Sequence, residues 1–170
     1  VVFDLDGTLV DTAPDLMGAT NHVLSLIGRR SISMTEVRSF VGHGAKALIA
    51  RGAAATGEPL DDASLSHYYT AFVRHYEAHI ADASAPFPGA VPLLERLQAQ
   101  GVKIGICTNK LEGLSVALIK SLGLSHFFGA IIGPDTLNIA KPDPAPYFET
   151  VRRIGGGRSL MIGDSETDVL

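Results

Sequence analysis

Two aspartates spaced two residues apart, Asp4 and Asp6, close a short apolar run at the start of the chain, Val1-Val2-Phe3-Asp4-Leu5-Asp6-Gly7-Thr8-Leu9-Val10-Asp11. The run is β-branched or aromatic and lacks helical spacing, which predicts a short buried strand over residues 1–5. Side chains alternate across a strand, so the two carboxylates start on one face. Crowded acids at a strand end cost repulsion and desolvation unless something compensates, and a divalent cation is the obvious compensation. Gly7 lets the backbone turn and approach a ligand closely. The competing reading is a solvated turn that happens to carry two acids.

Three further constellations follow later strand-like segments. Ile106-Cys107 runs into Thr108-Asn109-Lys110, a hydroxyl with backbone N–H groups ahead of a helix, which suits an anion. Lys141 stands in Ala140-Lys141-Pro142-Asp143-Pro144, a cation in a stretch stiffened by two prolines. Lys110 competes with it for the same region. Gly163-Asp164-Ser165-Glu166-Thr167-Asp168 gathers acids at a strand end, as either a hard-cation site or a helix N-terminus rich in acids.

The elements that must position these groups read from periodicity. Leu16, Thr20, Val23, Leu24 and Ile27 recur at helical spacing after a cap at Asp11 or Thr12. Ser33-Met34-Thr35-Glu36 fits a capping box for a helix through Val41. Helix resumes over 45–55 after Gly42-His43-Gly44. Another is capped by Asp61 or Asp62 and carries Leu65, Tyr69, Phe72, Tyr76 and Ile80. Residues 14–82 are thus helical throughout. Ala85-Pro86-Phe87-Pro88-Gly89 reads as a stiff connector. Beyond it helices over 91–100, 111–122 and 144–154 alternate with strands over 102–107, 130–132 and 159–162. That alternation predicts a parallel α/β sheet with right-handed crossovers, interrupted by an all-helical insertion.

Composition narrows the class. The 170 residues are 46% hydrophobic and 19% charged, with a net charge of -4. No basic run suggests nucleic acid or an anionic membrane, and no apolar stretch reaches membrane-span length. Cys107 is the single cysteine, so a disulfide framework is excluded and a reducing, cytoplasmic compartment is expected. The chain lacks an initiator Met and stops directly after an acid cluster, so both ends read as trimmed. His67, His75 and His79 read as solvated surface; His75 and His79 lie four apart on a helix, but no third metal ligand is near in sequence.

DLDGTLVD at residues 4–11 resembles motif I of the haloacid dehalogenase superfamily in its phosphatase form. ICTN at 106–109, KPDP at 141–144 and GDSxxD at 163–168 are similar to the family's motifs II, III and IV, so the resemblance covers essentially the whole chain. It implies a Rossmann-like α/β core over 1–13 and 84–170, with an inserted helical C1 cap over 14–83. It implies Asp4 as nucleophile, forming an aspartyl-phosphate, and Asp6 as general acid and base. Thr108 and the Asn109 backbone would bind the phosphoryl oxygens, and Lys141 would neutralise charge. Mg²⁺ would be held by Asp4, the Asp6 carbonyl and Asp164, with Asp168 orienting that shell. Residues 41–46 resemble the cap loop of the family's phosphoglycolate phosphatases. Gly42, His43, Gly44 and Lys46 would then meet a small substrate, and 2-phosphoglycolate is the expected one. The hinges would lie at 11–13 and 86–88. A small phosphorylated metabolite is the expected partner and a monomer or homodimer the expected state. The alternatives are another C1-capped member (a sugar-phosphate phosphatase, a pyrophosphatase or a β-phosphoglucomutase-like phosphotransferase) or a truncated, non-catalytic binding protein.

Overall fold

The computed structural model describes residues 1–169 and divides the chain into two compact units. The first comprises Val1–Asp11 with the described residues from Ala85 onward, the second Thr12–Ser84.

In the first unit, strands β1 (Val2–Phe3), β4 (Gly105–Cys107), β5 (Ala130–Ile132) and β6 (Met161–Ile162) form one parallel sheet in the order β5-β4-β1-β6. Val2 sits between Gly105 and Met161, and Ile106 beside Ile131. Helix α5 (Ala90–Ala99) precedes β4, and α6 (Glu112–Ser121) joins β4 to β5. Helices α7 (Pro134–Leu137) and α8 (Ala145–Arg153) lead from β5 to β6. Val2, Cys107, Tyr147 and Ile154 form a core cluster where α8 covers the sheet. Burial there pushes the Cys107 thiol up to about 11, consistent with a thiol that behaves as a small hydrophobe.

Strand β5 has the predicted bounds, whereas β1, β4 and β6 are shorter than the apolar runs predicted. Parallel pairing ends at Phe3, and Val102-Lys103-Ile104 precedes the ladder rather than joining it. Periodicity reports burial, and residues such as Leu5 and Ile104 are buried without being paired. A short helix and a two-stranded ribbon had no sequence signal. Helix α7 is a single turn, too short to display a period. A two-stranded antiparallel ribbon joins β2 (Val10–Asp11) to β3 (Ala85–Pro86). The 85–89 connector is therefore partly paired, and Asp11 lies in a strand instead of capping a helix. Pro86 is tolerated because the ribbon has two edges.

The second unit is helical: α1 (Ala13–Leu26), α2 (Met34–Phe40), α3 (Ala45–Thr56) and α4 (Asp62–Ala78). Ser33 and Glu36 form the expected capping box, and Asp61 caps α4 by accepting from the Ser64 N–H at 2.7 Å. Thr12 occupies the N-cap position of α1 in a helical conformation, and its side chain makes no cap hydrogen bond. The helices bury Leu16, Val23, Leu24, Leu48, Ile49, Phe72 and Tyr76. His75 is not simply solvated surface: its ring stacks on His22 at 4.4 Å and lies 4.6 Å from His79. Burial and these two rings hold its pKa below the ordinary imidazole value.

One carboxylate ties the two ends of this unit together. Asp15, buried in the first turn of α1, accepts from the backbone N–H groups of Ala83 and Ser84 and from Ser84 Oγ, at 2.6–3.1 Å. Removing the acceptor strands three donors, two of them backbone. Asp15→Ala should therefore lower the unfolding free energy by about 3 kcal/mol in urea denaturation, and an unchanged midpoint would exclude this staple.

Candidate active site

The polar groups singled out from sequence in the α/β unit collect at the carboxyl ends of its strands, where open α/β sheets place their sites. Asp4 and Asp6 follow β1, Thr108 to Lys110 follow β4, and Asp164 to Asp168 follow β6. Lys141 lies in the segment between α7 and α8.

Asp4 is 3% exposed. Its Oδ1 accepts the Leu5 N–H at 2.7 Å and the Lys141 ammonium at 3.0 Å. Burial raises the Asp4 carboxyl to about 6, and the attraction of Lys141 offsets burial only in part. Lys141, 6% exposed, also reaches Asp168 Oδ1 at 2.5 Å. Burial alone would lower its ammonium, yet Asp4 and Asp168 outweigh that and raise it. Lys141 is thus held charged between two acids.

Asn109 positions that lysine. Its side-chain Oδ1 accepts the Lys141 N–H at 2.9 Å, and its Nδ2 donates to the Lys141 carbonyl at 3.2 Å. The sequence reading used only the Asn109 backbone; the paired amide contact to a residue 32 positions away had no local signal. Thr108, buried, accepts the Lys110 N–H on Oγ1 at 3.2 Å. The two lysines do not compete, because Lys110 Nζ pairs with Asp6, at 3.0 and 3.2 Å from its two oxygens.

Asp164 accepts a hydrogen bond from Thr8 Oγ1 at 2.6 Å. Gly7, at φ +89°, lies so close beneath it that an added Cβ would stand 2.4 Å from Asp164 Oδ2. Both a left-handed conformation and the absence of a side chain are required there. Carboxylate oxygens of Asp4, Asp164 and Asp168 all lie within 4.8 Å of one another. An all-oxygen donor set of this charge fits a hard cation. Asp168 is already engaged: Oδ1 takes Lys141, and Oδ2 takes the Ser165 N–H and Oγ at 3.0 and 2.9 Å. That suits a supporting place beside the ion, leaving Asp4 and Asp164 as the direct carboxylates.

The remaining predicted residues belong to the helical unit. Gly42 and Gly44 have φ of +105° and +83°, so the loop before α3 needs glycine at both. His43 between them is half-buried, with Nδ1 3.4 Å from Arg51 Nη1. Lys46 stands 5.4 Å over the Tyr69 ring.

Residues 1–170 match the family model described as haloacid dehalogenase-like hydrolase. A phosphoglycolate phosphatase of Caulobacter vibrioides is 48% identical over all of this chain and 73% of its own length. One from Mesorhizobium japonicum is 44% identical over 99% of the chain and 75% of its own length. A crystal structure of a predicted phosphoglycolate phosphatase from Haemophilus somnus superposes with a TM-score of 0.88 at 29% identity, covering 98% of this chain and 77% of its own. No helix among the described residues is long and apolar enough to cross a membrane.

The buried Asp4 gives a pH signature. Its carboxyl is raised from 3.8 unfolded to about 6 folded, so the native state holds this proton more tightly. The penalty is absent below 3.8, grows through the interval and is complete above 6, amounting to about 3 kcal/mol. In chelator-treated protein, Asp4→Asn should flatten the decline in unfolding free energy between about pH 4 and 6.5, and parallel slopes for the two proteins would contradict it.

Proposed function

The chain belongs to the haloacid dehalogenase-like hydrolase family, and from that premise we propose that it is a phosphomonoester hydrolase whose substrate is 2-phosphoglycolate. The observation that carries the proposal is the buried Asp4 carboxylate held against Lys141, with a second carboxyl, Asp6, two residues on. The substrate assignment draws on the phosphoglycolate phosphatases that are 44% and 48% identical to the chain.

In this mechanism an Asp4 oxygen attacks phosphorus, and the ester bond to the glycolate oxygen breaks as the aspartyl-phosphate forms. Asp6 delivers its proton to the departing oxygen. Asp6, now a carboxylate, takes a proton from the water that attacks the aspartyl-phosphate, which releases phosphate and restores Asp4. Thr108 Oγ1 and the Asn109 N–H bind the phosphoryl oxygens, while Lys141 balances the charge that gathers between Asp4 and the phosphoryl group. Mg²⁺ is the fitting cofactor, held by Asp4, Asp164 and the Asp6 carbonyl, and when bound it would neutralise phosphoryl charge. In the helical unit, Gly42, His43, Gly44 and Lys46 provide selectivity for an ester that carries a carboxylate.

Phosphate release from a panel of esters, with and without Mg²⁺, tests the whole reading. The expected result is Mg²⁺-dependent release with 2-phosphoglycolate preferred. Transfer of phosphate to a sugar hydroxyl without release would replace hydrolase by phosphotransferase. Asp4→Asn should lower turnover by more than about 1,000-fold in a protein that stays folded, and full activity would remove Asp4 as nucleophile. His43→Ala should raise KM for 2-phosphoglycolate about tenfold while leaving an uncharged phosphate ester nearly unaffected; equal effects on both would end the role of His43.

A further inference from the structure

The site holds two buried lysines, and each grips a different carboxylate. Lys141 serves Asp4 and Asp168. Lys110, 8% exposed, places Nζ 3.0 Å from Asp6 Oδ1 and 3.2 Å from Oδ2. The side chains of this second pair are 6% and 14% exposed, so water screens it little.

Asp6 needs such a grip. Strand β1 ends at Phe3, and beyond it Asp6 forms an isolated bridge to Val10. Its side chain therefore stands outside the ladder and has staggered rotamers to choose from. An ammonium in contact with both carboxylate oxygens selects one. The lysine is itself anchored at its backbone: its N–H donates to Thr108 Oγ1 at 3.2 Å. Its carbonyl lies so near Gly133 that a Cβ there would stand 2.7 Å away.

We propose that Lys110 is a positioning residue for Asp6, aiming its carboxyl at the oxygen that leaves phosphorus, and that it is not a second charge-neutraliser of the phosphoryl group. The proposal rests on the reading of Asp6 as general acid. The geometry separates the two jobs, because the ammonium contacts both oxygens of Asp6 whereas Lys141 contacts the attacking acid.

The leaving group distinguishes the roles. Formation of the asptartyl-phosphate from an alkyl ester needs a proton at the departing oxygen, whereas p-nitrophenolate departs without one. The ratio kcat/KM reports the steps up to that intermediate. Lys110→Met should lower kcat/KM for 2-phosphoglycolate about 100-fold, and for p-nitrophenyl phosphate less than about fivefold. Asp6→Asn should show the same asymmetry. The pair Asp6→Asn with Lys110→Met should be no worse than Asp6→Asn alone, since a positioning residue has nothing left to position. Lys110→Arg, which keeps donors and charge, should recover part of the loss.

Equal losses on the two esters would place Lys110 on the phosphoryl charge and overturn the proposal. So would losses that multiply in the double variant. If Lys110→Met fails to fold because Asp6 is left buried and unpaired, the double variant leaves neither charge unpaired, and its comparison with Asp6→Asn decides the question. If Asp6→Asn itself hydrolyses the alkyl ester normally, the general-acid reading falls and the positioning role falls with it. Asymmetry in Asp6→Asn without asymmetry in Lys110→Met would overturn the positioning role alone.

Discussion

Everything at the sheet's carboxyl edge depends on keeping one carboxylate, Asp4, out of water. A 3% exposed acid is costly as an anion, and burial raises its pKa to about 6. The surrounding structure makes the charge tolerable in stages. The Leu5 N–H and the Lys141 ammonium contact it directly. Asp168 and the Asn109 amide then hold Lys141 where it must be. Compensation remains incomplete, because Lys141 shares its charge with Asp168. A site left short of positive charge in this way is prepared for a cation, and three carboxylates within 4.8 Å of one another supply the oxygens.

The second acid is treated differently. Asp6 lies past the end of β1, has its own lysine, and is engaged through both oxygens. Two neighbouring acids with separate cationic partners can hold separate roles, one attacking and the other exchanging protons. The loop after β4 thereby carries three functions in three residues. Thr108 offers a hydroxyl, Asn109 orients Lys141, and Lys110 holds Asp6.

The helical unit rests on different physics. Its interior is apolar, with Phe72 and Tyr76 nearly inaccessible, and its ends are joined by the Asp15 carboxylate on Ala83 and Ser84. The stretch between α2 and α3, at Gly42 to Gly44, is held open by two positive φ angles and has His43 beside Arg51. A conformation that only glycine adopts readily is a reasonable place to seek selectivity, because it presents backbone N–H groups that a continuous helix would consume.

The sequence by itself determined the class of fold and the order of its main helices and parallel strands, and it singled out acids and a hydroxyl that gather at the strand ends. Those features are local. Hydrophobic period separates helix from strand, capping boxes such as Ser33 to Glu36 mark helix starts, and DLDGTLVD is a contiguous signature. The tertiary structure alone decided which lysine serves which acid, because Lys110 and Asp6 are separated by 104 residues and only strand order brings them together. It also decided that the Asn109 side chain braces Lys141, that Asp15 closes the helical unit, and that Val10–Asp11 pairs with Ala85–Pro86. Each is a contact between residues distant in the chain, set by packing and register, and a one-dimensional pattern carries no register between strands.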